Sequence, residues 1–278
     1  VLTTKDASMV RSTFGDAQNT FASYEASLSS FAKRHVRSTA DDARHDLPSV
    51  AEVPKALPSV RIETVGADAI RVAVVTPKSF VRGAHLPVID AAYGGPHHQQ
   101  VVADAGRYLH MQWLADATGA FVVAIDAKGT PHRGRDWERS LAAKLGDVPL
   151  EGHVAALTAL FAKHPEMDGA RVGVYGWSFG GYFSALAVLQ RPDIYKAGMA
   201  GAPPADWRDY DTAYTERYLG LPKDNEAAYD RASLLTHAAN ASGVRRPLLV
   251  VHGTADDNVY FFNSLKLVDA LDRAGKPY

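Results

Sequence analysis

Ser178 stands at the centre of the stretch Gly176-Trp177-Ser178-Phe179-Gly180-Gly181-Tyr182. A serine hydroxyl is a weak nucleophile at neutral pH, so it needs a base to take its proton and a third group to orient that base. The G-x-S-x-G spacing puts such a serine on a strained turn from strand to helix, with partners following in the order acid, then histidine. Asp256 and Asp257, in His252-Gly253-Thr254-Ala255-Asp256-Asp257-Asn258-Val259, both suit the acid, and spacing does not separate them. The chain has eleven histidines, none of them after His252. His252 reads as a strand-end residue packed into its turn, whereas His97 and His98 suit the mouth of a cleft. That vicinal pair resembles half a metal site, but no carboxylate or third histidine stands at ligand spacing, so no metal is expected. The catalytic histidine is therefore expected beyond Tyr278, and the 278-residue chain is expected to be nearly inactive alone.

Acyl transfer also needs donors for a developing oxyanion. The N–H of Phe179, directly after the serine, is one expected donor. The segment Tyr93-Gly94-Gly95-Pro96 should supply the other, through glycines that let the main chain approach a ligand and through the Tyr93 hydroxyl.

These groups must be held by the elements around them. Arg171–Tyr175 reads as the strand before the serine, and Tyr182–Leu189 as a helix after it that stops at Pro192. Val60–Val65 and Ala69–Thr76 read as a hairpin turned by Gly66-Ala67-Asp68. Leu86–Ala91, Phe121–Ile125, Ala197–Ala200 and Arg246–His252 read as further strands. They alternate with helical patterns over Arg107–Thr118, Leu150–Lys163 and Phe262–Ala274, while Trp207–Tyr218 reads as an irregular aromatic section. Such alternation predicts a mostly parallel sheet covered by helices on both faces, an α/β-hydrolase fold with its chemistry at the carboxyl ends of the strands. Residues 1–54 differ in character. Strand patterns at Thr20–Ala26 and His35–Ser38 cannot build a core alone, and a Pro-containing link from Leu47 to Pro58 predicts a boundary before a domain spanning 55–278.

Composition narrows the classes. The net charge is −1, which gives no basic surplus for nucleic acid. There is no cysteine, hence no disulfide, thiolate nucleophile or cysteine metal site. No apolar run reaches the length of a membrane span. The chain begins Val1-Leu2, without an initiator methionine or a signal-peptide pattern, and reads as a piece of a longer precursor.

Taken together, the Ser178 stretch, the Tyr93 loop and the segment from His252 to Val259 resemble the prolyl oligopeptidase family of serine peptidases. Trp207-Arg208-Asp209-Tyr210-Asp211-Thr212-Ala213-Tyr214-Thr215-Glu216-Arg217-Tyr218 is similar to its dipeptidyl-peptidase IV branch. The resemblance covers roughly residues 55–278. It implies Ser178 as nucleophile, Asp256 rather than Asp257 as acid, and Tyr93 as oxyanion donor. It further implies a proline pocket formed by Trp207, Tyr210, Tyr214, Val259 and the ring of Phe179, with Asn258 bonding the carbonyl of the preceding residue. Aromatic walls suit a pyrrolidine ring, which is apolar and has no N–H to satisfy. By the same likeness residues 1–54 are the closing part of a β-propeller, the substrate is a peptide cut after proline or alanine, no cofactor is needed, and a homodimer is admitted. The likeness favours a periplasmic or secreted setting. Two positions depart from the branch: Phe179 replaces a tyrosine, and Pro204 stands where a small aliphatic residue is usual. Glu216 and Arg217 read as a local ion pair. An acylaminoacyl peptidase or esterase, or a non-catalytic binding module, are the alternatives.

Overall fold

The structure is a computed structural model that describes residues 9–240 and 246–278. Strands β1 (Met9–Phe14), β2 (Thr20–Ala26), β3 (Lys33–Ser38) and β4 (Arg44–Asp46) form an antiparallel sheet in chain order. Strands β5 (Val60–Val65), β6 (Ile70–Val75), β7 (Leu86–Ala91), β8 (Phe121–Asp126), β9 (Met167–Trp177), β10 (Tyr195–Gly201) and β11 (Leu248–Val251) form a second sheet in the order β11-β10-β9-β7-β8-β6-β5. Its β11, β10, β9, β7 and β8 run parallel, and β6 and β5 join antiparallel at one edge. The helices are α1 (Leu109–Thr118), α2 (Arg135–Arg139), α3 (Asp147–Lys163), α4 (Phe179–Gln190), α5 (Thr212–Leu219), α6 (Glu226–Ala232), α7 (Leu234–Asn240) and α8 (Phe262–Arg273). This is the α/β-hydrolase fold, with a β-rich region at its N-terminal side.

The central strands are predominantly apolar because both faces are covered. Along β6 and β8 the side chains alternate between two cores. Val72, Val74, Val123 and Ile125 pack with Leu157 and Leu160 of α3 and with Phe183 and Leu186 of α4. Ala73, Val75, Val122 and Ala124 pack with Met111 and Ala115 of α1. Fully burying each such valine, leucine or phenylalanine stabilises the fold by about 1.5–3 kcal/mol, so these two layers fix the sheet on which the loops sit.

The N-terminal sheet touches this body through polar contacts. The Tyr24 hydroxyl donates to Asp104 Oδ2 at 2.6 Å, and the Ala105 N–H donates to the Ser27 carbonyl at 2.9 Å.

The main chain packs very closely at the turn from β9 into α4. A Cβ at Gly181 would lie 2.1 Å from the Gly201 carbonyl oxygen, and one at Gly180 would lie 2.3 Å from the Ala92 oxygen. Both obstacles are backbone atoms of neighbouring strands, which cannot swing aside. Gly181→Ala is therefore expected to cost at least the upper end of the about 1–3 kcal/mol of ordinary overpacking. A thermal melt of the variant within a degree of the parent would contradict this.

Candidate active site

Register brings the site together. Trp177 of β9 pairs with Gly201 of β10, which pairs with Val251 of β11. The residues after these three positions, Ser178 among them and the loop that carries Asp256, therefore leave the same end of the sheet, at the carboxyl ends of its parallel strands. Ser178 adopts φ 59° and ψ −120°, a left-handed conformation that a serine tolerates only under constraint. The constraint is visible: its N–H donates to the Gly201 carbonyl at 2.8 Å, and its own carbonyl accepts the Tyr182 N–H at 3.0 Å. The side chain does not cap α4, so its hydroxyl is free for other partners at the positive end of that helix.

Phe179 is the first residue of α4, and its N–H has no acceptor inside the helix. Tyr93 follows β7 by two residues. Its ring lies 4.4 Å from that of His98 and 6.0 Å from that of Phe179, centroid to centroid. Burial pushes the Tyr93 phenol above its ordinary value, so it stays a protonated donor at neutral pH.

The loop after β11 separates two aspartates that the sequence leaves equivalent. Asp256 Oδ1 accepts the N–H groups of Asn258 and Val259, each at 3.0 Å, whereas Asp257 is exposed. Asp256 Oδ2 faces His252 Nε2 at a long 3.5 Å. His252 is committed elsewhere. Its Nε2 lies 2.7 Å from the Val259 carbonyl, which can only accept, so that nitrogen carries the proton. Its Nδ1 lies 2.6 Å from the Ser264 hydroxyl, which then donates to it.

Beside the serine turn the rings form one contiguous box. Trp207 is 1% exposed and sits 5.4 Å from Phe179, 5.7 Å from Tyr210 and 6.1 Å from Tyr214, stacked on the last. The Tyr210 hydroxyl donates to Asn258 Oδ1 at 3.2 Å, which leaves the Asn258 amide N–H groups free and ties the box to the Asp256 loop. Val259 is buried at 2% exposure, and Pro204 is buried as well. Phe179 brings no hydroxyl.

Two sequence readings need correction. The aromatic section is largely helix: a short 3₁₀ turn at Trp207–Asp209 leads into α5, whose N-cap Asp211 accepts the Tyr214 N–H at 2.8 Å. Tyr214 and Tyr218, four residues apart in α5, share one face, and the Tyr210 ring packs against Tyr214 at 5.5 Å from just before the helix. Among the described residues no ion pair joins Glu216 to Arg217, because consecutive helical residues face apart. Arg217 instead lines a recess of about 330 Å³ with Tyr218 and His97. His97 is hydrogen-bonded to the Tyr218 hydroxyl, which joins the Tyr93 loop to α5. No group of three or more histidine, cysteine or carboxylate side chains suited to a metal occurs among the described residues.

The family model described as the prolyl oligopeptidase family matches residues 107–278, more than half of the chain. The chain belongs to the prolyl oligopeptidase family. Human dipeptidyl peptidase 8 is 39% identical over 204 residues, which are 73% of this chain and 23% of that protein. The dipeptidyl aminopeptidase B of Saccharomyces cerevisiae is 38% identical over 193 residues, 69% of this chain and 23% of that one. The crystal structure of Porphyromonas gingivalis dipeptidyl peptidase 4 superposes with a TM-score of 0.87 at 28% identity, covering 99% of this chain and 39% of that one. The chain thus spans about a quarter of the length of these curated relatives. No helix among the described residues is long and apolar enough to cross a membrane.

Proposed function

We propose that this chain carries the catalytic site of a serine peptidase that cuts after proline, or alanine, near the amino end of a peptide through an acyl-enzyme. The reading rests chiefly on one observation. Ser178 is held in a left-handed conformation at the same end of the sheet as the loop carrying Asp256, beside a contiguous cluster of aromatic rings.

Ser178 attacks the carbonyl. The Phe179 N–H and the Tyr93 hydroxyl receive the oxyanion, where one such donor is typically worth about 2.7–4 kcal/mol. The proline ring fills the space against Trp207, Tyr210, Tyr214 and Val259, and the free amide of Asn258 bonds the preceding carbonyl. Asp256 orients the histidine base. His252 does not serve as that base, since both its nitrogens are engaged. Relatives that carry the name dipeptidyl peptidase support removal of dipeptides. The in-order antiparallel sheet β1–β4 suits a propeller blade, which supports a boundary near residue 54 between a propeller portion and the catalytic domain of residues 55–278.

The test compares hydrolysis of a Gly-Pro amide bearing a free amine with its N-blocked form, using the full-length protein. Preference for the free amine by at least tenfold in kcat/KM is expected. Preference for the blocked form removes the dipeptidyl assignment in favour of an acylaminoacyl peptidase, and turnover of neither removes the peptidase.

A further inference from the structure

The Tyr93 hydroxyl can serve an oxyanion only if its loop holds one register against the Ser178 turn, and the fold contains a device for this. Asp126, the last residue of β8, is 2% exposed. Its two carboxylate oxygens each accept one backbone N–H, from Gln100 at 3.0 Å and from Val101 at 2.9 Å. The Gln100 side chain then reaches back seven residues. Its Oε1 accepts the Tyr93 N–H at 2.9 Å, and its Nε2 donates to the Ala91 carbonyl at 3.0 Å. Between those two residues, the Ala92 N–H donates to the Tyr175 carbonyl at 2.8 Å and continues the β7–β9 pairing. One amide thus closes the loop of residues 93–100 on itself, and one buried carboxylate fixes that closure to the sheet.

An ionised carboxylate is costly to bury unless its oxygens are satisfied by donors. Here the donors are main-chain groups of the segment that leads back to Tyr93, in the charge-assisted class roughly twice as strong as neutral bonds. Burial holds the Asp126 carboxyl above its ordinary value, and the two N–H groups oppose that rise.

We propose that Gln100 and Asp126 are positioning residues that hold Tyr93 in place to stabilise the oxyanion. The proposal rests on the peptidase reading of Ser178 and Tyr93. Neither residue touches the substrate; both act through the Tyr93 main chain. Gln100→Ala in the full-length protein is expected to lower kcat about 10- to 100-fold with KM changed less than twofold, since the loss falls on a transition-state contact. In a Tyr93→Phe background, whose own expected loss is about 10²–10³ in kcat, the same substitution should cost less than a further twofold.

Asp126→Asn, close in shape but with an N–H₂ facing one of the backbone donors, should show the same dependence on Tyr93. It keeps the test decisive if Gln100→Ala does not fold. Full additivity with Tyr93→Phe, or a rise in KM at constant kcat, would show that the clasp only supports the fold and would overturn the proposal. An unchanged kcat in Tyr93→Phe alone would instead overturn the role of Tyr93, a different outcome.

Discussion

Ser178→Ala in the full-length protein is expected to lower kcat by a factor on the order of 10⁶, the scale on which loss of a serine nucleophile acts in other serine peptidases. The size follows from what the turn does. Residue 178 is held at φ 59° by its N–H on Gly201 and its carbonyl on Tyr182, and neither bond depends on the side chain. Alanine can therefore occupy the same backbone position, and a melting temperature within about 2 °C of the parent is expected, since side-chain loss at a partly exposed site away from the core costs little. Residual acceleration of about 10³–10⁴ over water should remain from the oxyanion donors and the binding box. Steady-state kinetics with a Gly-Pro chromogenic amide, alongside a thermal melt, checks both halves. A loss smaller than a hundredfold with the fold intact would mean another group attacks the carbonyl.

The second large effect is expected at Asp256. Its Oδ1 is fixed by the N–H groups of Asn258 and Val259, which leaves Oδ2 as the oxygen not bound to the loop's own N–H groups. In Asp256→Asn the side-chain oxygen should keep those two donors, because the amide nitrogen cannot accept them. The N–H₂ then takes the place of Oδ2. A base at that position would meet a donor where it needs an acceptor and would settle in the wrong tautomer, a change that costs about 10⁴ in kcat in a comparable triad. Asp257→Asn serves as the internal control. That residue is exposed, and its substitution should stay within about twofold, as surface changes usually do. Equal losses at both positions would contradict the assignment.

Much of the fold is legible in the sequence where burial is two-sided and turn residues bound it. Val60–Val65 and Leu86–Ala91 read as strands and match β5 and β7 residue for residue. Ile70–Val75 is one residue shorter at each end than its reading, and Phe121–Asp126 is one residue longer at its C-terminal end. Other elements draw their structure from partners that a local pattern does not show. Met9–Phe14 becomes a strand by pairing along its whole length with β2, and three-residue β4 depends on β3 in the same way. Helix α5 is hidden by its tyrosines and β-branched threonines, which are weak helix formers, although the four-residue spacing of Tyr214 and Tyr218 carries the signal.

The candidate site divides similarly. The elbow is readable because its glycines and serine are contiguous. The choice between Asp256 and Asp257 is not, because it depends on which carboxylate the turn folds back to meet its own N–H groups. The Gln100–Asp126 clasp is not readable at all: its partners lie 7 and 26 residues apart and meet only once β7 and β8 are side by side.

The most direct measurement is a crystal structure of the full-length protein reacted with a dipeptide boronate ending in a boronic analogue of proline. A bond from boron to Ser178 Oγ is expected, with the ring enclosed by Trp207, Tyr210 and Tyr214 and a boronate oxygen within hydrogen-bond reach of the Tyr93 hydroxyl. Attachment at any other residue, or a ring seated away from those three aromatics, would contradict the account.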